Sequence, residues 1–215
     1  LSKTIDGVKV LDNVSFTINT GDKVVFLAKN DIVKTTLLSI LAGEMEADSG
    51  SYTWGVTTSQ AYMPRDNSAF FTNPDLNLIE WLRPYSPDEH EAFVRGFLGR
   101  MLFSGEETLK KCTVLSGGEK VRCMLSRMML SGANVLLFDN PSDHLDLESI
   151  TSLNKALIKF SGTILFGAHD HEFIQTVANR IIEITPSGLV DKLMSYDEYL
   201  EDEELQAKIE AMYAE

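Results

Sequence analysis

Four groups of polar residues in this chain of 215 residues stand where phosphate and metal chemistry could be done. Ser116-Gly117-Gly118-Glu119 opens a helical pattern, and a serine hydroxyl, paired glycine amides and a helix N-terminus together offer a nest for an anion. Asp139 closes the apolar run Val135-Leu136-Leu137-Phe138, where a carboxylate at a buried strand end can hold Mg²⁺ through water. Lys34-Thr35-Thr36 follows the apolar strand Lys23–Leu27 and an irregular loop, and begins a helical run. Strand, loop, helix is the context that a phosphate-binding loop requires. His169 lies in Gly167-Ala168-His169-Asp170-His171, just past the apolar strand Thr163-Ile164-Leu165-Phe166. A metal site built on the His169 and His171 pair is the lesser reading.

The elements that must position these groups follow from periodicity. Alternating apolar residues over 8–17, then Asn19-Thr20-Gly21-Asp22, predict an antiparallel hairpin region entering the strand Lys23–Leu27. From about Pro74 to Thr113 the apolar spacing turns helical, through Leu78, Trp81, Leu82, Phe93, Phe97, Leu98, Met101 and Leu102. A helix over 118–129, a strand at 135–138, a helix over 148–160 and a strand at 163–166 then alternate, which predicts an α/β fold with a parallel sheet covered by helices. The expected organisation is an α/β core of residues 1–73 and 114–195, a helical subdomain of 74–113, and an acidic C-terminal helix over 196–215 docked on the body.

The same motifs carry a family resemblance. Leu115-Ser116-Gly117-Gly118-Glu119 resembles the signature of the ABC ATPases, Val135–Asp139 with Asn140-Pro141 resembles their Walker B strand, Ser142-Asp143-His144-Leu145-Asp146 their D-loop, and the His169 segment their switch histidine. These motifs stand in the family order over essentially the whole chain. Asp143-His144-Leu145-Asp146-Leu147-Glu148-Ser149-Ile150, Leu102-Phe103-Ser104-Gly105 and the ending Tyr196-Asp197-Glu198-Tyr199-Leu200 look like the ABC-F subfamily, specifically its second cassette. The resemblance implies a P-loop NTPase fold of the ABC nucleotide-binding type with a helical subdomain. It implies ATP and Mg²⁺ as cofactors and a second ATP-binding cassette as partner, in the same full-length chain or as a homodimer. It also implies a cytoplasmic location without a membrane, and the ribosome as a further partner of the full-length protein. Carried over residue by residue, Asn30, Lys34, Thr35, Thr36, Arg65, Ser116, Gly117 and Gly118 fall at nucleotide-binding positions, Thr35 and Asp139 at metal positions, and Asn140 and His169 at catalytic ones.

Several positions depart from that pattern. Ala28-Lys29-Asn30-Asp31-Ile32-Val33-Lys34-Thr35-Thr36 stands where the family has Gly-x-x-Gly-x-Gly-Lys-Ser/Thr-Thr, so all three glycines are replaced. Val33 held at positive φ would be strained by roughly 1–3 kcal/mol. Asp31, as a helix N-cap, would compete with a phosphate for the same nest. Arg65 replaces the Q-loop glutamine, and no aromatic stands near Ile5 to stack on adenine. Asn140 occupies the position of the glutamate that polarises the attacking water, and an amide is a poor general base.

Composition bounds the partners. The charged fraction of 24% and hydrophobic fraction of 44% are those of a soluble globular chain, and the formal net charge of −13 repels phosphate backbones, so this domain alone is not expected to hold nucleic acid. Cys112 and Cys123 match neither a disulfide scaffold nor a zinc site and read as free thiols. The chain opens on Leu1 without a signal-peptide pattern and is expected to be part of something longer. Two functions remain open on these residues: a MgATP-binding cassette with impaired hydrolysis, or a non-catalytic interaction module that keeps the cassette fold.

Overall fold

The computed structural model describes residues 1–143 and 145–215; His144, the histidine of the segment that resembles a D-loop, lies outside the described residues. Strands β1 (Lys3–Ile5) and β2 (Val8–Leu11) form a small antiparallel hairpin. Its turn, Asp6-Gly7, takes φ of 49° and 79°, the paired left-handed conformation that matches strand twist. The hairpin thus lies earlier than the alternation over 8–17 suggests. Asn13, at φ 52°, turns the chain out of extension after Leu11, and the residues that follow run on without strand pairing.

The main sheet has six strands in the order β4-β5-β6-β3-β7-β8, with β3 (Lys23–Leu27), β4 (Gln60–Met63), β5 (Val135–Asp139), β6 (Thr163–Gly167), β7 (Arg180–Thr185) and β8 (Gly188–Lys192). All neighbours are parallel except β7 and β8. From β3 the chain crosses through helix α1 (Asp31–Leu41) to the far edge at β4, then returns through β5 and β6 to reach β7 on the other side of β3. Such a reversal leaves a crevice outside the carboxyl ends of the strands. The register sets those ends level, since Gly167 of β6 pairs with Asp139 of β5 on one side and Phe26 of β3 on the other.

Both faces of the sheet are buried, which explains the unbroken apolar runs in its strands. Val24, Phe26, Leu137 and Leu165 pack with Leu37, Leu38 and Leu41 of α1, whereas Val25, Leu136, Phe138, Ile164 and Phe166 face the larger core. That core takes in α2 (Leu78–Leu82), α3 (Glu91–Arg100), α4 (Gly117–Leu130), α5 (Leu147–Lys159) and α6 (His171–Val177). The stretch between β4 and β5 is helical as expected but broken. Pro84 sits in a 3-10 turn over Arg83–Tyr85 directly after α2, α3 ends at Arg100 before Leu102 turns to φ 67°, and Gly105, at φ 46°, starts another 3-10 turn.

The acidic tail forms two helices rather than one, α7 (Tyr196–Glu201) and α8 (Glu203–Ala214). Asp202 leaves the helical conformation at ψ 91° and caps α8 by accepting from the Leu205 N–H, which enforces the break. Both cysteines are free and buried. Among the described residues no helix is long and apolar enough to cross a membrane.

Candidate functional site

The carboxyl ends of four strands deliver the side chains of the crevice. Lys34 and Thr35 lie in the first turn of α1 after β3, Arg65 two residues past β4, Asp139 at the last position of β5, and His169 two residues past β6. Lys34 is 1% exposed, with its aliphatic stem laid over Gly167. A Cβ at Gly167 would stand 3.4 Å from Lys34 Cδ and 3.9 Å from Asp139 Oδ1, ordinary contact distances, so the end of β6 lies directly against both side chains.

Thr35 Oγ1 donates to Asp139 Oδ2 at 2.7 Å. Asp139 is buried, which pushes its carboxyl above the usual range against the opposing pull of Thr35, Arg65 and Lys34. Its other oxygen, Oδ1, is buried without a hydrogen-bond partner among the described residues. An orphaned carboxylate oxygen beside a threonine hydroxyl is a hard oxygen donor set, and it fits Mg²⁺, which Thr35 and Asp139 would hold. Bound there, the ion would supply Lewis-acid charge stabilisation to a phosphoryl group. Asn140 follows at φ 48°, a conformation asparagine tolerates better than most residues. It is 3% exposed, and among the described residues neither of its side-chain amide atoms has a hydrogen-bond partner.

The basic side chains of the crevice converge on Asp31. Its Oδ1 lies 2.9 Å from Lys34 Nζ and 2.7 Å from His169 Nε2, and its Oδ2 accepts from Arg65 at 2.9 Å. Lys34 and His169 meet Oδ1 at ion-pair distance but off a hydrogen-bond axis. Lys34 Nζ and His169 Nε2 are themselves 3.3 Å apart. Arg65 reaches on to Asp143 Oδ2 at 3.0 Å. Burial opposes ionisation of Asp31, but Lys34 and Arg65 outweigh it and hold the carboxyl down at about 2. His171 points elsewhere, to Asp197 at 2.8 Å, so the two histidines of the pair do not share a ligand.

Asp31 is not the helix cap. Asn30 is, through its Oδ1, which accepts from the Ile32 N–H at 3.1 Å, and Asp31 is the first residue of α1. Nor is Val33 strained, since its φ is not positive and its N–H donates to the Asn30 carbonyl at 3.1 Å. Without glycines the end of the loop has become the first turn of the helix, which removes the strain and occupies the amides. A third amide, Lys29 N–H, donates to Tyr213 Oη of α8 at 3.1 Å. The N–H groups of residues 29, 32 and 33 are therefore satisfied internally, and a polyphosphate would meet a cradle already bonded to itself.

Ser116 caps α4 by accepting from Glu119 N–H at 3.2 Å, and Glu119 Oε2 accepts from Ser116 N–H at 2.8 Å. Ser116 and Gly117 are exposed and Gly118 is half-buried; a Cβ on Gly118 would stand 3.3 Å from Leu145 Cδ2. Among the described residues no hydrogen bond or ion pair joins Ser116 to the Asp31 cluster. Of the residues singled out by sequence, Lys34, Thr35, Arg65, Asp139 and His169 thus come together and Asn140 lies next in chain. Asn30 is engaged as a cap, Thr36 is buried in α1, and Ser116, Gly117 and Gly118 form a separate face. Sequence reasoning singled out Asp31 as a competitor for the phosphate nest but placed it as the cap; it missed the pairing of Asp31 with Lys34, Arg65 and His169, the Asp143 end of the Arg65 bridge, and Tyr213. The Asp31–Lys34 spacing of three, favourable once α1 begins at Asp31, was the available signal.

The ABC transporter family profile matches residues 11–143. The chain is 66% identical over 216 residues to the "Uncharacterized ABC transporter ATP-binding protein YkpA" of Bacillus subtilis, covering 100% of this chain and 40% of that protein. It is 30% identical over 187 residues to "ABC transporter F family member 5" of Arabidopsis thaliana, covering 87% of this chain and 27% of that protein. It therefore spans less than half the length of these relatives. A solved dimeric ATP-binding cassette in a post-hydrolysis state, bound to ADP and Pi, shares the fold with a TM-score of 0.72 at 18% identity, over 90% of this chain and 96% of that one.

Proposed function

Because the chain belongs to the ABC transporter family of ATP-binding cassettes, we propose that it serves as an ABC-F-type cassette that binds MgATP and pairs with a second cassette, with its own hydrolysis impaired. The observation that carries this reading is the Thr35–Asp139 bond of 2.7 Å beside the buried Lys34. The side chains for a metal and a phosphate are held together although the glycines of the loop are gone. Asn140 supplies no base, so an attacking water would be left unactivated. The exposed Ser116 and Gly117 at the α4 N-terminus are available to a phosphate held by another cassette. Likeness to F family member 5 supports the subfamily, and a dimeric relative supports pairing. Ribosome contact and a cytoplasmic location belong to the same proposal for the longer protein.

Asn140 and the self-bonded loop amides favour a second reading, a non-catalytic module that uses the cassette fold to hold a partner. Calorimetric titration of MgATP, with sedimentation to follow pairing, separates the two. Saturable MgATP binding that promotes pairing is the expected result. Pairing that ignores nucleotide supports the second reading instead.

A further inference from the structure

We infer that Asp31 fills the anion seat of this crevice with its own carboxylate, making it the residue that sets the affinity of the site for polyphosphates. Lys34, Arg65 and His169 come from three different segments and meet at one carboxylate, at 2.9, 2.9 and 2.7 Å. A lysine, an arginine and an imidazole gathered in this way form a receptor for a phosphoryl oxygen. Here the oxygen belongs to the chain. Lys34 is 1% exposed, a buried ammonium is costly unless it is paired, and Asp31 pairs with it at 2.9 Å. A phosphate arriving at Lys34 must displace that carboxylate or share the lysine with it at contact distance, and the second arrangement places two anions side by side. Arg65 keeps Asp143 when Asp31 is displaced, so it stays anchored near the site. Asp31 thereby acts as a competitor tethered at the site, present at an effective concentration that free ligand must exceed.

This inference rests on the proposed nucleotide site only for the identity of the ligand, and pyrophosphate tests it without the nucleoside. Sodium pyrophosphate and MgATP are titrated calorimetrically into the parent chain, Asp31→Asn and Asp31→Asn/Lys34→Ala, with circular dichroism to confirm folding; Asp31→Gly replaces Asp31→Asn if the latter does not fold. The expected result is that Asp31→Asn binds pyrophosphate about tenfold or more tightly than the parent and that Lys34→Ala abolishes the gain. If MgATP follows pyrophosphate, the nucleotide reading stands as well. If pyrophosphate binding improves and MgATP binding does not, the seat is right and the nucleotide reading falls. Micromolar pyrophosphate binding by the parent, or no improvement in either Asp31 variant, overturns the inference.

Discussion

Asp31 carries a charge that three neighbouring cationic or ionisable groups share, and its carboxyl is held at about 2. Its folded value lies below the ordinary carboxylate value of about 4, so its contribution is full above about pH 4 and is lost as pH falls towards 2. The parent is therefore expected to be more stable than Asp31→Asn at pH 7, where the neutral amide would leave Lys34 buried and unpaired. That difference shrinks as pH drops below about 4. Urea unfolding of both proteins at neutral and acid pH measures it, and a difference that persists unchanged at low pH contradicts the assignment. Asn140 poses a different problem. Asn140→Glu would place a longer side chain in a buried position at φ 48°, at a cost of about 1–2 kcal/mol unless the backbone adjusts. The base and the stability of its turn are thus in tension at one residue.

At the scale of elements, the fate of the glycine-free loop turns on where α1 begins. A strained Val33 would be relieved by Val33→Gly, but Val33 lies inside the first turn of an unstrained helix. Val33→Gly alone should destabilise the chain, by about 0.3–0.5 kcal/mol through helix propensity and further through the lost packing of its partly buried side chain, and Asn30→Ala by about 1 kcal/mol through loss of the cap. Denaturant melts check both, and a stabilised Val33→Gly would show that strain is present after all. The strands and their polar ends were legible in sequence, because an apolar run that stops at Asp139 or just before His169 marks a buried strand and its exit. The helix start was not legible. It depends on how the backbone relaxes once glycine is absent, and the residue pattern of a phosphate loop persists through Lys34 and Thr35 whether or not the loop does. The broken helices between β4 and β5 were legible in kind but not in extent, since Pro84 and Gly105 act through turns that apolar spacing does not resolve.

At the scale of the whole molecule, the C-terminal helix reaches back to the loop after β3. Tyr213 Oη accepts from Lys29 N–H and donates to Glu183 Oε1 of β7 at 2.9 Å, and Lys29 Nζ pairs with Glu210 at 3.0 Å. Tyr199 also donates to Glu183, and burial together with that carboxylate pushes both tyrosines' pKa values up. Periodicity identified a tail that docks, but a contact between residues 184 positions apart is set by tertiary packing and leaves no local signal. Tyr213→Phe should cost about 1–2 kcal/mol and speed hydrogen exchange at the Lys29 amide. Unchanged exchange there would mean that the tail does not hold the loop.

On the proposed reading, the self-filled seat and the missing base are two separable defects in one ATPase site, and phosphate release measures both at once. The four proteins to compare are the parent, Asn140→Glu, the loop repair Ala28→Gly/Asp31→Gly/Val33→Gly, and the combination, each assayed with MgATP at concentrations that let cassettes pair. Asn140→Glu alone should change little, since MgATP is held only weakly and out of position while Asp31 occupies the phosphate seat, and the loop repair alone should bind MgATP more tightly without appreciable turnover. Added to the repaired loop, Asn140→Glu should raise turnover by roughly 10²–10⁴-fold, far more than it does in the parent. Brisk phosphate release by the parent, or by Asn140→Glu with the loop untouched, would contradict the reading of this site as a cassette whose phosphate seat is already taken.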